Sequence, residues 1–182
     1  MTNDQNDQDA RIRACQADVI ARMQADPAAC RKTYVTTGEI RAGLACRIEQ
    51  GRFSAIADLG PAMGGEAAGP SPGFFARSAI VGCVGIGIKM LAAREGFRVD
   101  RLAVTVETDF DDTALMGLGA SSAGPLRTRI AVAIESPDDP ARISDMVNRA
   151  LERDPWFLAL RDAQVVEPCL FVSHTAFTIA AA

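Results

Sequence analysis

The sequence predicts an α+β protein on three observations: short alternating segments over 32–59, an apolar helical run over 72–95, and a second alternating pair over 102–134 followed by another helix.

 The predicted architecture is antiparallel sheet packed around a long central apolar helix. After an N-terminal helix the segments run ββ(β)–α–ββ–α–β. A chain of 182 residues and 19.3 kDa is sized for one compact domain. A fold of that mass buries roughly 70% of its unfolded surface, so a core is expected without disulfides or a structural metal. The expected division is an N-terminal extension carrying an amphipathic helix, residues 1–31, and a single domain over 32–182.

Taken in order, residues 1–9 read as a polar, acidic lead. From Ala10 to Asp26, Ile12, Cys15, Val19, Ile20 and Met23 recur at three- and four-residue steps, which predicts a helix ended by Pro27. Extended runs follow at Lys32–Ile40, Gly43–Gln50 and Phe53–Leu59, and the turns at Arg41-Ala42-Gly43 and Gly51-Arg52 make them an antiparallel meander. Gly60–Gly73 holds five glycines and three prolines, the composition of an ordered loop or boundary. Ser71 then suits a helix cap, Pro72 the first turn, and Gly96 the position just past the end.

The uncharged centre of that helix, Ser78–Ile88, is eleven residues bounded by Arg77 and Lys89. A bilayer span needs about 20, so a buried core helix is expected and no membrane. Its faces are apolar nearly all round, which predicts that protein surrounds it. Gly82, Gly85 and Gly87 each cost about 1 kcal/mol of helix propensity relative to alanine. Close approach of another element, from this chain or a second subunit, would offset that. Next, Leu102, Val104 and Val106 share a face of one strand, and Ile130, Val132 and Ile134 a face of another, with a long loop, Asp111–Pro125, between them. Asp139-Pro140 opens a helix with Ile143, Met146, Val147, Ala150 and Leu151 inward, stopping by Asp154 before Pro155. A final extended stretch, Gln164–Ile179, closes the domain.

Charge and composition narrow the chemistry. A net charge of −4 and a pI near 5.0 leave no basic footprint for nucleic acid. The chain has one histidine, His174, so a zinc site with several histidines cannot be built within it. Five cysteines, Cys15, Cys30, Cys46, Cys83 and Cys169, stand at least fifteen residues apart, which gives neither a CxxC pair nor a disulfide framework. No metal and no cofactor is expected. The N-terminus lacks the basic-then-apolar order of a signal peptide, so the cytoplasm is the expected compartment.

Two nucleophiles come into consideration. Gly119-Ala120-Ser121-Ser122-Ala123 nearly spells GxSxG, and His174 lies downstream, but the last glycine is absent and Pro125 follows, so a Ser/Gly-rich loop is the natural reading. His174, in an alternating segment, reads as a structural histidine. Cys83, alone inside an apolar helix, reads as a small hydrophobe with a raised pKa, unless a nearby cation populates its thiolate.

Gly64-Gly65-Glu66-Ala67-Ala68-Gly69-Pro70-Ser71-Pro72, then Phe74-Phe75-Ala76 and Gly82-Cys83, resembles the OsmC/Ohr family of osmotically inducible and organic-hydroperoxide-resistance proteins. There a GG-x-x-x-GPSP loop leads into a long apolar helix with a reactive cysteine. The similarity covers roughly residues 32–180. It implies an intertwined homodimer with active sites at the subunit interface. It also implies thiol-peroxidase chemistry, in which a thiolate attacks a peroxide oxygen to give an alcohol and a sulfenic acid. By resemblance Cys83 is the peroxidatic cysteine and Arg41, in Arg41-Ala42-Gly43, its activating arginine. The family's glutamate position holds Gly73 and its resolving-cysteine position holds Asp154. With no partner at 154, an external thiol reductant is needed, and an Asp154 near Cys83 would raise its pKa. Two functions stay open: a one-cysteine peroxidase acting on small organic hydroperoxides, or a non-catalytic module binding an apolar small molecule. Other cysteine chemistry, such as thioester or persulfide handling, is a third.

Overall fold

A computed structural model describes residues 3–173 and has the predicted α+β class, with helices and small antiparallel sheets. His174 and the end of the last expected segment lie outside the described residues. The chain divides into two compact units. Of the described residues, one takes 3–30 together with 73–158, and the other takes 31–72 together with 159–173.

In the first unit, α1 spans Asn3–Ala25 and α2 spans Pro72–Glu95. The end of α2 follows from its sequence: Gly96 takes φ +77°, and the Phe97 N–H donates to the Ala92 carbonyl at 2.9 Å, closing the helix with a left-handed residue. Strands β4 (Arg101–Asp109) and β5 (Arg127–Glu135) pair antiparallel, with Leu102 opposite Ile134, Val104 opposite Val132 and Val106 opposite Ile130. Between them the expected loop holds a short helix, α3 (Asp112–Leu115), capped by Asp111. Helix α4 (Pro140–Leu151) starts as expected, with the Asp139 carboxylate accepting from the Arg142 N–H at 3.0 Å.

The apolar face of β4 and β5, the inner stripe of α4, and Ile80, Val84, Ile88 and Leu91 of α2 form one core. The helix glycines meet different surroundings. A Cβ at Gly85 would touch Val104 at 3.6 Å, one at Gly87 would lie 3.5 Å from an Asp154 carboxylate oxygen, and one at Gly82 meets open space.

Three expectations are corrected. First, α2 is not enclosed by its own chain: Phe74, Ile86 and Met90 are 51%, 63% and 40% exposed, because the hairpin and α4 cover only one face. By length and composition alone α2 could cross a membrane, although in the fold its buried stripe carries the core. Second, α1 begins within the supposed polar lead and is docked by polar groups. The Asp9 carboxylate lies 2.7 Å from Lys89 Nζ, and Arg13 Nε donates to the Ala93 carbonyl at 2.9 Å, while Val19 and Met23 stay exposed. Third, a further helix, α5 (Pro155–Arg161), follows α4, and residues 164–173 form no strand.

In the second unit, β1 (Thr37–Ile40), β2 (Cys46–Gln50) and β3 (Phe53–Ala57) make the expected meander, in shorter strands. Asp58, buried, then organises the glycine-rich loop: its carboxylate accepts the N–H groups of Leu59, Glu66 and Ala68 at 2.7, 3.1 and 3.0 Å. Those bonds, led by the one from Ala68, hold its pKa below the ordinary carboxylate value, so their stabilisation is present near neutrality and lost as pH falls through the depressed value. A Cβ at Gly65 would sit 2.0 Å from the Leu59 carbonyl oxygen, so only glycine fits that approach.

Ile88 is fully buried at the centre of the first unit's core. Ile88→Ala is expected to lower the unfolding free energy by about 2–5 kcal/mol, read as a reduced urea midpoint with an unchanged slope.

Candidate functional site

Cys83 lies on α2, half-buried, one turn before Gly87. The Asp154 carboxylate lies over that turn, where a Cβ at Gly87 would meet it at an ordinary contact distance of 3.5 Å. Asp154 is 4% exposed. One of its oxygens, Oδ1, accepts the Phe157 N–H at 2.8 Å and its carbonyl accepts the Leu158 N–H at 2.9 Å, so it caps α5. Its side chain also hydrogen-bonds the Cys83 thiol, and the Trp156 backbone N–H donates to the same sulfur.

The electrostatic balance at this sulfur favours the proton. Burial is the largest influence and pushes the thiol pKa up. The hydrogen bond and negative charge of Asp154 push it further, and the Trp156 N–H opposes them only in part. The folded thiol thus titrates above its free value. That group's contribution to stability is present below the free thiol pKa and is lost as pH rises through the folded value. The sulfur opens into a cleft of about 360 Å³, with Ile86, Met90, Leu91 and Ala150 as apolar walls and Arg94, Arg153 and Asp154 as polar ones.

The other predicted residues are placed as follows. Arg41 follows β1 in the second unit, with an 84% exposed side chain and its Nε 2.7 Å from Glu39. Gly73 lies in the first turn of α2, where a Cβ would meet the Arg77 guanidinium at 3.3 Å. Arg77 in turn donates to Thr108 Oγ1 at 3.4 Å. Cys169 is exposed in the second unit, and all five cysteines are free thiols. Ser121 sits in the exposed β4–β5 connection with its hydroxyl held by Asp111, and strand β5 rather than a helix follows it. That removes the strand–turn–helix elbow a serine nucleophile would need. Among the described residues no cluster of His, Cys, Asp or Glu could hold a metal.

Two parts of the site were missed from sequence. Helix α5, which brings the Trp156 N–H to the sulfur, had a readable signal: Asp154-Pro155 repeats the Asp139-Pro140 pattern that opens α4. The arginines of the cleft, Arg94 and Arg153, had none, since only the packing of α2 against the end of α4 brings them together.

A family model described as OsmC-like protein matches residues 64–168, more than half of the chain. Solved structures share the fold. An OsmC-like protein from Mycoplasma pneumoniae is 18% identical with a TM-score of 0.61, covering 71% of this chain and 88% of its own. An OsmC-like protein of unknown function from Vibrio cholerae O1 biovar eltor is 13% identical with a TM-score of 0.53, covering 70% and 92%. A third, from the same organism, is described as an organic hydroperoxide resistance protein with captopril bound in one of its active sites. It is 17% identical with a TM-score of 0.51, covering 72% and 88%. No curated protein matches the chain significantly.

If Asp154 holds the proton on Cys83, Asp154→Asn lowers the thiol pKa, and residual burial still keeps it above that of a free cysteine. Thiolate absorbance against pH, with the Cys83→Ser variant subtracted, reads both values. An unshifted titration would show that the contact does not act on the sulfur.

Proposed function

The chain belongs to the OsmC-like protein family, and from that membership we propose that it is a one-cysteine thiol peroxidase, a cytoplasmic homodimer acting on small organic hydroperoxides with Cys83 as nucleophile. One observation carries the proposal: the half-buried Cys83 opens from the apolar helix α2 into a cleft with apolar walls, the setting an organic peroxide needs. The hydroperoxide itself comes from the name of the Vibrio cholerae relative. Arg41 is assigned as the arginine that steadies the thiolate and the departing alkoxide. A second copy is assigned to the uncovered face of α2, where Phe74, Ile86 and Met90 are exposed.

The chemistry balances with one outside reactant. The Cys83 sulfur attacks the outer peroxide oxygen and the O–O bond breaks. The products are an alcohol and the Cys83 sulfenic acid, with the thiol proton passing to the alkoxide. An external thiol then displaces water from the sulfenic acid to give a mixed disulfide. A second thiol releases Cys83 and leaves as an oxidised dithiol.

A second reading, a non-catalytic module that binds an apolar small molecule, is favoured by one feature: Asp154 and burial keep the thiol protonated. Hydroperoxide consumption in the presence of a dithiol separates the two. The wild type is expected to consume organic hydroperoxide at a rate that climbs with pH as the thiolate forms, and Cys83→Ser to fall to the uncatalysed rate. Equal rates for the two proteins would leave the binding module.

A further inference from the structure

We infer that the cleft beside Cys83 has an anion-recognising end, formed by Arg94 and Arg153, and that the reactants it favours carry a carboxylate or similar anionic group. The inference rests on Cys83 being the reacting atom, and it names the class of molecule that reaches it.

Three observations converge. The first is the polarity of the walls: Arg94 and Arg153 line the same cleft as Cys83, with Ile86, Met90 and Ala150 also on its walls. Arg94 lies eleven residues after Cys83 on α2, about 16 Å along the axis at 1.5 Å per residue, and so on nearly the same helix face. A ligand can therefore place its reactive atom on the sulfur and its charge on the arginines. The anion is excluded from the other end, where Asp154 occupies the ground beside the thiol.

Second, a carboxylate that feels the charge of both arginines is already taken. Glu95 feels the charge of Arg94 and Arg153, but its two oxygens are held by Arg149 Nη1 and Nη2 at 2.5 and 2.8 Å. Among the described residues neither Arg94 nor Arg153 forms an ion pair of its own. Third, Arg94 is positioned from outside the family-matched segment: its Nη1 donates to Gln16 Oε1 of α1 at 3.3 Å, and Gln16 Nε2 donates to the Met90 carbonyl at 3.5 Å. The Asp9–Lys89 and Arg13–Ala93 contacts dock that helix. Gln16 is thus a positioning residue, which gives the N-terminal helix a part in the cleft.

The test compares two disulfide reagents on the full-length protein, dithiobis(nitrobenzoate), which is anionic, and dithiodipyridine, which is neutral. Each exchanges with the Cys83 thiolate to give a mixed disulfide and a released aryl thiol. Mass spectrometry of the Cys83 peptide separates this reaction from those of the other cysteines. The anionic-to-neutral rate ratio is expected to fall about fivefold in Arg94→Gln or Arg153→Gln. Added salt should lower the wild-type ratio toward that of the variants. Gln16→Ala should lower the ratio by less, with the neutral-reagent rate unchanged, which a merely structural loss would not reproduce. A ratio that is the same in wild type and both arginine variants overturns the subsite. Failure of both reagents to reach Cys83 overturns the cleft as a reactant site. Loss of the peroxidase reading alone, with the ratio shift intact, leaves the subsite standing.

Discussion

The contact between the Asp154 carboxylate and the Cys83 thiol is the constraint on which the site depends. A carboxylate that is 4% exposed needs donors for its oxygens. Here the Phe157 N–H supplies one and the Cys83 S–H another. The first bond starts α5, so the direction of the chain after α4 and the chemistry of the sulfur are set by the same side chain. The second passes over Gly87, where a Cβ would meet the carboxylate oxygen at an ordinary contact distance of 3.5 Å.

This arrangement changes what the thiol can do. A peroxidatic cysteine reacts as thiolate, and proximity to a cation is the usual way to populate it. Within the first unit the influences on Cys83 run the other way, with burial and Asp154 against the weaker help of the Trp156 N–H. The one-cysteine cycle we propose would be slow near neutrality under those conditions and would need its external thiol twice, once to meet the sulfenic acid and again to free Cys83. In the subsite we infer, the arginines along the cleft act on which molecules reach the sulfur, a separate matter from its intrinsic reactivity.

Much of the fold was legible in the sequence because its signals were local. Gly96 closes α2, Asp139 opens α4, and the alternation at 102–106 and 130–134 sets the face that meets the helix. The loop and helix around Cys83 carry the resemblance that singles it out, and the sign of the effect Asp154 has on it follows from charge. What failed depended on partners far away in sequence. The apolar stripe of α1 was given too much weight, since Asp9 and Arg13 meet groups eighty residues on and decide which face docks. The covering of α2 is seen in part, because within one chain the hairpin and α4 reach only one face of the helix. Helix α5 has a local signal of its own, since Asp154-Pro155 repeats the Asp139-Pro140 start of α4.

The most direct measurement is the rate at which Cys83 becomes a sulfenic acid in a single turnover, trapped and quantified across pH in the wild type and in Asp154→Asn. The variant is expected to be faster near neutral pH, by several-fold, and the two rates to converge at high pH, where both sulfurs are thiolate. A variant that matches the wild type at every pH, or is slower near neutrality, would contradict it.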